Sequence, residues 1–218
     1  MAPVSTNVHS AVRRRLPRQA RSRERVERIV DAASRIVVQD GVDALTTRGI
    51  AAAAAMPVAS IYQYFSDRDA VLLAIVERDT AEMDEQVAVD LEKLEVWSID
   101  SLVETTMRAY VTVYHRRPAF VEIWLRGRTN QAVHDYGRMH NRRTAVSLRN
   151  LAEGLGLIVP DTSPAVAELA VEIGDRVFQL AFEEDDQGDR FLVEEGIAMV
   201  AAYLRQYATP AGLDGVRP

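Results

Sequence analysis

Apolar residues recur every three or four positions along most of the chain, the spacing of one face of an α-helix. The first pattern begins at Arg23, and Gly41 ends it as a left-handed cap would. Its apolar positions are Val26, Ile29, Ala33, Ile36 and Val37. Thr46 or Thr47 can cap a short second helix at about 47–54. A third helix is predicted at 58–64, after a turn at 55–57.

Longer helices are predicted beyond this point. Ser66 and Asp69 are spaced as in a capping box, and the apolar pattern that follows runs to about residue 94. At 1.5 Å per residue such a helix is about 40 Å long, enough to connect two folded units. Ser101 with Glu104 predicts the start of the next helix, which Pro118 ends.

The second half contains three further helical patterns. A polar, arginine-rich helix is expected at about 130–153, after a short apolar piece that ends at Gly127. Ser163 and Pro164 predict the start of an apolar helix at 164–184, and the last helix is expected at 189–207. Because apolar residues nowhere alternate as in strands, the sequence predicts an all-α protein.

The patterns divide the chain into four parts. A flexible basic arm is predicted at 1–20 and a three-helix helix-turn-helix domain at 21–76. A long helix joins this domain to a C-terminal helical domain at 77–208, and a loose tail is predicted at 209–218.

Composition and charge narrow the function. Hydrophobic residues make up 48% and charged residues 27%, which is ordinary for a globular protein with a buried core. There is no cysteine, so disulfides and thiol chemistry are excluded, and a reducing cytoplasm is expected. The net charge is −6, yet residues 1–28 contain eight arginines against two glutamates. This asymmetry favours a basic end that meets a polyanion, although a solvated disordered tail would have the same composition.

The segment between Arg48 and Asp67 has no charged residue. A membrane span is excluded because Pro57 and several polar side chains interrupt it, and no second such segment exists. In the helix-turn-helix interpretation, Ile61 and Phe65 anchor the third helix from behind. The outward side chains are then Val58, Ala59, Ser60, Tyr62, Gln63 and Tyr64.

These side chains suit duplex DNA. A glutamine amide can pair with adenine in the major groove, and small apolar groups can contact a thymine methyl. Serine and tyrosine hydroxyls can donate to phosphate oxygens. The basic residues Arg21, Arg23, Arg48 and Arg68 flank the uncharged surface, where they can neutralise phosphates.

The order of IVDAASRIVVQDGVDALTTRGIA, a short turn, SIYQYF and DRD resembles the DNA-binding region of the tetracycline-repressor (TetR) family of one-component regulators, over about residues 23–76. The resemblance implies an all-α homodimer whose third helix enters the major groove of a palindromic operator. It also implies a C-terminal body that binds a small-molecule effector, and a four-helix bundle between protomers built from the last two helices.

Residue roles follow from the same resemblance. Thr47 and Arg48 are expected to contact phosphate, and Arg68 to hold the backbone at the start of helix four. Ser60, Tyr62, Gln63 and Tyr64 should lie on the recognition surface. Three positions depart from the family pattern, because Ala55 and Ala59 replace frequent glycines and Pro57 replaces a capping hydroxyl residue.

The regulatory half has less specific signals. Aromatic and polar groups on the middle helices are candidates for the ligand site, although aromatic residues at helical spacing are more often core: Tyr110, Tyr114, His115, Phe120, Trp124, His134, Phe178 and Phe182. Apolar positions on the last two helices are candidates for the dimer interface: Val166, Leu169, Ile173, Val177, Leu180, Ile197, Val200 and Leu204.

Other functions are less well supported. Residues 183–194 partly match a calcium loop, but Glu183 and Gln187 occupy positions where the loop requires other side chains. His134 and His140 lie about 240° apart around a helix and cannot share a metal. We therefore expect no cofactor, no metal and no catalytic residues. The alternative function is an all-α ligand-binding protein or enzyme without specific DNA binding.

Overall fold

The computed structural model describes residues 18–127 and 131–217, and in these ranges the chain is helical, without a β-strand. The all-α prediction is therefore confirmed. The helices in the described ranges are α1 (Arg18–Asp40), α2 (Thr47–Ala53), α3 (Val58–Ile61), α4 (Arg68–Leu91), α5 (Ile99–Arg116), α6 (Pro118–Phe120), α7 (Gln131–Gly154), α8 (Pro164–Ala181), α9 (Arg190–Arg205) and α10 (Pro210–Asp214). In the same ranges, no helix combines the length and the apolar character that a bilayer span requires.

Helices α1 to α3 form one packed unit with α4. Gly41, with φ of 83°, ends α1 as predicted, and a 3₁₀ turn at Val42–Ala44 follows. The Thr46 side chain caps α2 by accepting a hydrogen bond from the Gly49 N–H at 3.0 Å. The centre of this unit is made of fully buried apolar side chains from all four helices and the connecting loop: Ile29, Ala33, Leu45, Ile50, Ile61 and Ile75.

Three predicted helix starts differ from the structure by one to five residues. Helix α1 begins at Arg18, so residues 18–20, which were predicted to be part of the flexible arm, are helical. The rest of the predicted arm, residues 1–17, lies outside the described ranges. The cap of α4 is Asp67, which accepts from the Ala70 N–H at 2.8 Å, and not Ser66. The cap of α5 is Ser98, which exchanges hydrogen bonds with Ser101. Each cap is the side chain that reaches the free N–H groups of the first turn, and spacing alone does not select it.

The C-terminal half is built from α5, α7, α8 and α9, and α4 packs lengthwise against α5. At 1.5 Å per residue the 24 residues of α4 span about 36 Å. Pro118 ends α5 as predicted, and the apolar piece after it forms α6 and a π-helical turn at Val121–Leu125. Ser163 caps α8 and Pro164 occupies its first position, also as predicted.

The predicted loose tail is ordered in the described residues. Thr209 caps the short helix α10, and its hydroxyl donates to the Gly156 carbonyl at 2.6 Å. Beyond α10, Val216 and Trp97 exchange two backbone hydrogen bonds of 2.7 and 2.8 Å. The prediction was wrong because these partners lie far away in the sequence, and local composition does not reveal them.

The turn between α2 and α3 contains a strained residue. Ala55 has φ of 52°, the left-handed conformation that a Cβ disfavours. We expect Ala55→Gly to raise the free energy of unfolding by about 1 kcal/mol, since glycine adopts this conformation without the steric cost. Chemical denaturation measures the change. The matched control Ala52→Gly, within α2, should lower stability by about 1 kcal/mol, and equal losses in both variants would contradict the assignment.

Candidate DNA interface and ligand cavity

The predicted recognition helix is shorter than expected. Helix α3 has a single turn, and the Tyr64 and Phe65 N–H groups both donate to the Ile61 carbonyl, at 2.9 and 3.0 Å. Residues 62–64 therefore continue as turns rather than as regular helix. Ile61 is fully buried and Phe65 partly buried, so both anchor the segment as predicted.

The opposite side of this segment is open. Val58, Ala59, Tyr62 and Gln63 are exposed, whereas Ser60 and Tyr64 are half-buried. Tyr62 is more exposed than Val58, at 56% against 36%. Its hydroxyl lies 3.2 Å from the Thr47 hydroxyl on α2. Helix α2 and the turn after α3 thus present neighbouring hydroxyl groups on one surface, and such groups can donate to phosphate oxygens.

The flanking arginines differ in how firmly they are held. Arg21, Arg23 and Arg48 are exposed. Arg68 donates to the Leu45 carbonyl at 3.4 Å and lies 3.5 Å from the Asp69 carboxylate, so part of its charge is already balanced.

Arg28 has a role that the sequence did not indicate. Its guanidinium donates to the Ala54 carbonyl at 2.9 Å and thereby ties α1 to the end of α2. Its basic side chain gave no signal for this contact, because the partner lies 26 residues away.

A cluster of charged residues joins α4 to both neighbouring units. Arg78 donates to Asp79 at 2.8 Å, to Asp31 of α1 at 2.7 Å and to Ser34 of α1 at 3.3 Å. Arg117, just after α5, lies 3.6 Å from Asp79. Burial raises the pKa of the fully buried Asp79, and the Arg78 hydrogen bond opposes the shift.

The sequence contained a signal for this cluster. Asp79 follows Ile75 by four residues and precedes Met83 by four, so a charged side chain stands on the apolar face of α4. Buried carboxylates at such positions require partners, and the arginines supply them.

A cavity of about 110 Å³ lies between α5, α7, α8 and α9. Its walls are almost entirely apolar, formed by side chains such as Leu102, Met107, Leu148, Val166 and Val200. Ligand pockets for drug-sized molecules hold about 300–1,000 Å³. In this conformation the cavity therefore suits one small ring or a short chain.

Two of the eight ligand-site candidates line this cavity, namely Tyr110 and Phe178. Burial raises the pKa of Tyr110 to about 12, so its hydroxyl stays protonated. The other six lie elsewhere. Tyr114, Phe120 and Phe182 are buried in an aromatic core with ring centroids 5.3 to 5.7 Å apart.

The remaining three candidates have other surroundings. Trp124 donates its indole N–H to Asp175 at 2.9 Å. His115 is exposed and lies 2.8 Å from the Gln187 carbonyl, and His134 is exposed. Six of the eight candidates therefore lie outside the cavity between the four helices, because the spacing of the aromatic residues indicates core packing here.

Two polar residues of the cavity wall are not among the predicted ligand-site residues. Thr106 and Asp175 both line it, and the Thr106 hydroxyl is buried without a hydrogen-bond partner in the structure. The sequence does contain a signal for Asp175. It lies three residues before the apolar Phe178, so a charged side chain stands on an inward-facing side of the helix.

The dimer-interface candidates separate into two groups. Leu169 and Leu180 are exposed on α8, at 49% and 41%, and Ile173 is half-buried between them. The other five face the interior of the protomer: Val166, Val177, Ile197, Val200 and Leu204. Three of these, Val166, Val200 and Leu204, line the cavity. On α9 the exposed apolar residues are instead Phe191, Ala198, Met199 and Ala202. Helical periodicity found apolar positions but did not distinguish inner from outer faces.

The partial calcium-loop match has a structural role in the connection between α8 and α9. Asp189 caps α9 by accepting from the Phe191 and Leu192 N–H groups at 2.8 and 3.2 Å. Within the described residues, no group of three or more potential ligands is arranged to hold a metal ion.

Two family models match the chain. Residues 29–75 match bacterial regulatory proteins of the tetR family, and residues 97–208 match the tetracyclin repressor-like C-terminal domain. No curated protein sequence matches the chain.

Solved structures share the fold. A TetR-family transcriptional regulator from Streptomyces coelicolor is 28% identical, with a TM-score of 0.69 over 84% of this chain and 99% of that one. SmeT, the repressor of the Stenotrophomonas maltophilia multidrug efflux pump SmeDEF, is 21% identical, with a TM-score of 0.63 over 86% and 92%. FadR of Bacillus halodurans, a fatty acid degradation regulator, is 15% identical, with a TM-score of 0.66 over 83% and 96%. The chain belongs to the TetR family of bacterial regulatory proteins, and its fold is that of a transcriptional regulator.

Proposed function

We propose that this regulator is a repressor that binds a palindromic operator as a homodimer and leaves it when a small molecule occupies the cavity. The main support for DNA binding is the uncharged, exposed side of residues 58–63, which lies opposite the buried anchor Ile61. Such a surface can enter a major groove without electrostatic repulsion, and the exposed Arg48 beside it can neutralise phosphate.

We assign the DNA-binding role to residues 21–76 and the effector and dimer roles to residues 77–208. Gln63 would read a base edge, and Thr47 and Tyr62 would hold phosphate. The residues Arg21, Arg23, Val58, Ala59, Ser60, Tyr64 and Arg68 would complete the contact surface. A protein that binds chromosomal DNA in a bacterium acts in the cytoplasm.

The exposed apolar residues of α8 and α9 support the dimer. Leu169 and Leu180 are eleven residues apart, which is about three helical turns, so they share one face of α8. A second copy placed against this face and against Phe191 and Met199 of α9 would bury them in a four-helix bundle.

Helix α4 supports a coupling between effector and DNA. It packs on α5, whose inner face lines the cavity, and Arg78 ties it to α1 of the DNA-binding unit. A ligand bound against the inner face of α5 would favour a conformation in which α5, and with it α4, is displaced. Only a ligand that binds this conformation more tightly than the DNA-bound one can release the operator.

Selection from a randomised pool of duplexes, followed by mobility-shift titration across a salt series, tests the proposal. The expected result is enrichment of one inverted repeat, bound tightly and with an affinity that falls steeply as salt rises. Weak binding of every duplex alike would favour the alternative function, a helical ligand-binding protein or enzyme that does not read DNA.

A further inference from the structure

The described wall of the cavity contains one carboxylate, Asp175, and both of its hydrogen-bond partners are neutral. Asp175 accepts the Trp124 indole N–H at 2.9 Å on one oxygen and the Gln179 amide N–H at 2.8 Å on the other. A carboxylate has about four acceptor sites, so each oxygen can accept a further hydrogen bond. Burial raises the pKa of Asp175, and the nearby Glu172 adds to the shift.

One residue of the cavity wall has a buried hydroxyl group without a partner. Thr106 lines the cavity, is 8% exposed, and its Oγ has no hydrogen-bond partner in the structure. Tyr110 is one turn further along α5 on the same face, and its hydroxyl interacts with Thr144. Buried hydroxyl groups without partners are rare in folded proteins, so a polar atom of a ligand is the natural partner for Thr106.

The cavity has no free cation to receive an anion. Arg149 is the only arginine or lysine in its wall among the described residues. Its guanidinium is bound to the Glu153 carboxylate at 2.6 Å and to the Thr162 carbonyl at 2.8 Å. A carboxylate ligand would therefore meet the Asp175 carboxylate with no free cation in the described wall, since Arg176, whose charge favours the ionised Asp175, is exposed and does not line the cavity. Like charges in an apolar site repel strongly.

We propose that the cavity takes a small, mainly apolar ligand whose head group donates a hydrogen bond to Asp175 and carries no negative charge. This inference rests on the proposed function only in taking the cavity as the effector site. At about 110 Å³ the space admits at most a single aromatic ring with a short polar substituent. Thr106 then accepts from or donates to the same head group.

Gly174 is a wall position at which a substitution can narrow the cavity. It lines the cavity next to Asp175, and a Cβ built on it would meet no heavy atom within 4 Å. Gly174→Ala therefore adds a methyl group to the cavity without a clash and removes a glycine from the interior of α8. The variant should fold at least as stably as the unmodified chain.

Four ring compounds of similar size test the ligand class: toluene, benzyl alcohol, benzylamine and benzoate. Binding is measured with the full chain by calorimetry and by the shift of Tm. Benzyl alcohol should bind about threefold to tenfold more tightly than toluene, the difference of one hydrogen bond, and benzoate should not bind. Benzylamine, a cation near neutral pH, should bind at least as tightly as benzyl alcohol, because its hydrogen bond to Asp175 is charge-assisted. Binding of benzoate as tight as that of benzyl alcohol, or equal binding of toluene and both donors, would overturn the proposal.

Variants assign the effect to named side chains. Asp175→Asn should reduce the preference for benzylamine over benzoate by about tenfold or more, and Thr106→Val should reduce the preference for benzyl alcohol over toluene about threefold. Gly174→Ala should weaken all binding about tenfold. The controls are Asp214→Asn on exposed α10 and Gly154→Ala, whose added methyl group points into open space. Unchanged preferences in Asp175→Asn, or control effects of the same size, would contradict the assignment.

The two proposals can fail separately. If the chain binds a selected inverted repeat but none of the four compounds, the cavity inference is wrong and the DNA-binding proposal stands. If benzyl alcohol binds as expected but no duplex is selected, the ligand class is supported and the repressor proposal is wrong.

Discussion

Replacing Arg78 with methionine is expected to lower the free energy of unfolding by about 3 kcal/mol at pH 8. Methionine retains much of the length of the side chain but removes the guanidinium that binds Asp79, Asp31 and Ser34. Asp79 is fully buried, and among the described residues it would keep only Arg117, 3.6 Å away, as a nearby cation, with Glu82 opposing it. A buried carboxylate that loses its main partner destabilises the fold.

The same variant should depend on pH in a defined direction. Burial raises the pKa of Asp79 above its unfolded value, so its contribution to stability is present at low pH and is lost as pH rises through the folded pKa. Because Arg78 opposes this shift, its removal raises the pKa further. The loss in Arg78→Met should therefore be smaller at pH 5 than at pH 8.

Urea unfolding at both pH values measures these effects. Arg108→Met is the matched control, since Arg108 pairs with Glu104 and Glu194 on the surface and is about half exposed. Exposed pairs contribute less than about 1 kcal/mol. If both variants lost the same stability, or if the loss in Arg78→Met were equal at pH 5 and pH 8, Asp79 would not be the group that Arg78 stabilises.

The second large effect concerns sequence recognition. Gln63→Ala is expected to reduce discrimination at one base pair of each half-site by about 1–3 kcal/mol, because a glutamine amide pairs with two atoms of adenine. Tyr62→Phe removes only a hydroxyl, which lies 3.2 Å from Thr47. It should weaken all duplexes by a similar factor, since a phosphate contact positions the protein without reading the sequence.

Titration of both variants against the selected repeat and its single-base changes measures the two patterns. Gln39→Ala is a suitable control, because Gln39 is exposed near the end of α1, outside the recognition segment. An unchanged base preference in Gln63→Ala would show that the recognition surface is assigned to the wrong side chains.

The DNA-binding segment could be predicted because its signals are local. Gly41, Thr46 and the buried Ile61 act where the sequence placed them, since caps and turns depend on neighbouring residues. The length of α3 could not be predicted, because residues 62–64 have no feature that excludes a further helical turn. Ala55 adopts the left-handed conformation in which the family pattern has a glycine.

The regulatory half was harder to predict because its contacts are distant in sequence. Val177 and Leu180 belong to the same apolar pattern, yet one is buried in the protomer and the other is exposed. Only the packing of α7, α8 and α9 decides this difference. Likewise, the backbone of Trp97 holds the C-terminal tail through hydrogen bonds to Val216, which is distant in the sequence. The regular spacing of aromatic residues around Tyr114 reflects packing in the buried core.

Changing the spacing of the half-sites tests most directly whether a homodimer binds both of them at once. The affinity of the unmodified chain for its selected inverted repeat is compared with its affinity for the same repeat after five base pairs are inserted between the half-sites. Two recognition segments must meet major grooves about 34–36 Å apart, and the insertion turns one half-site to the opposite side of the duplex. We expect the affinity to fall about a hundredfold or more, towards that of non-specific binding. Equal affinity for both duplexes would show that the chain does not bind both half-sites at once as a homodimer.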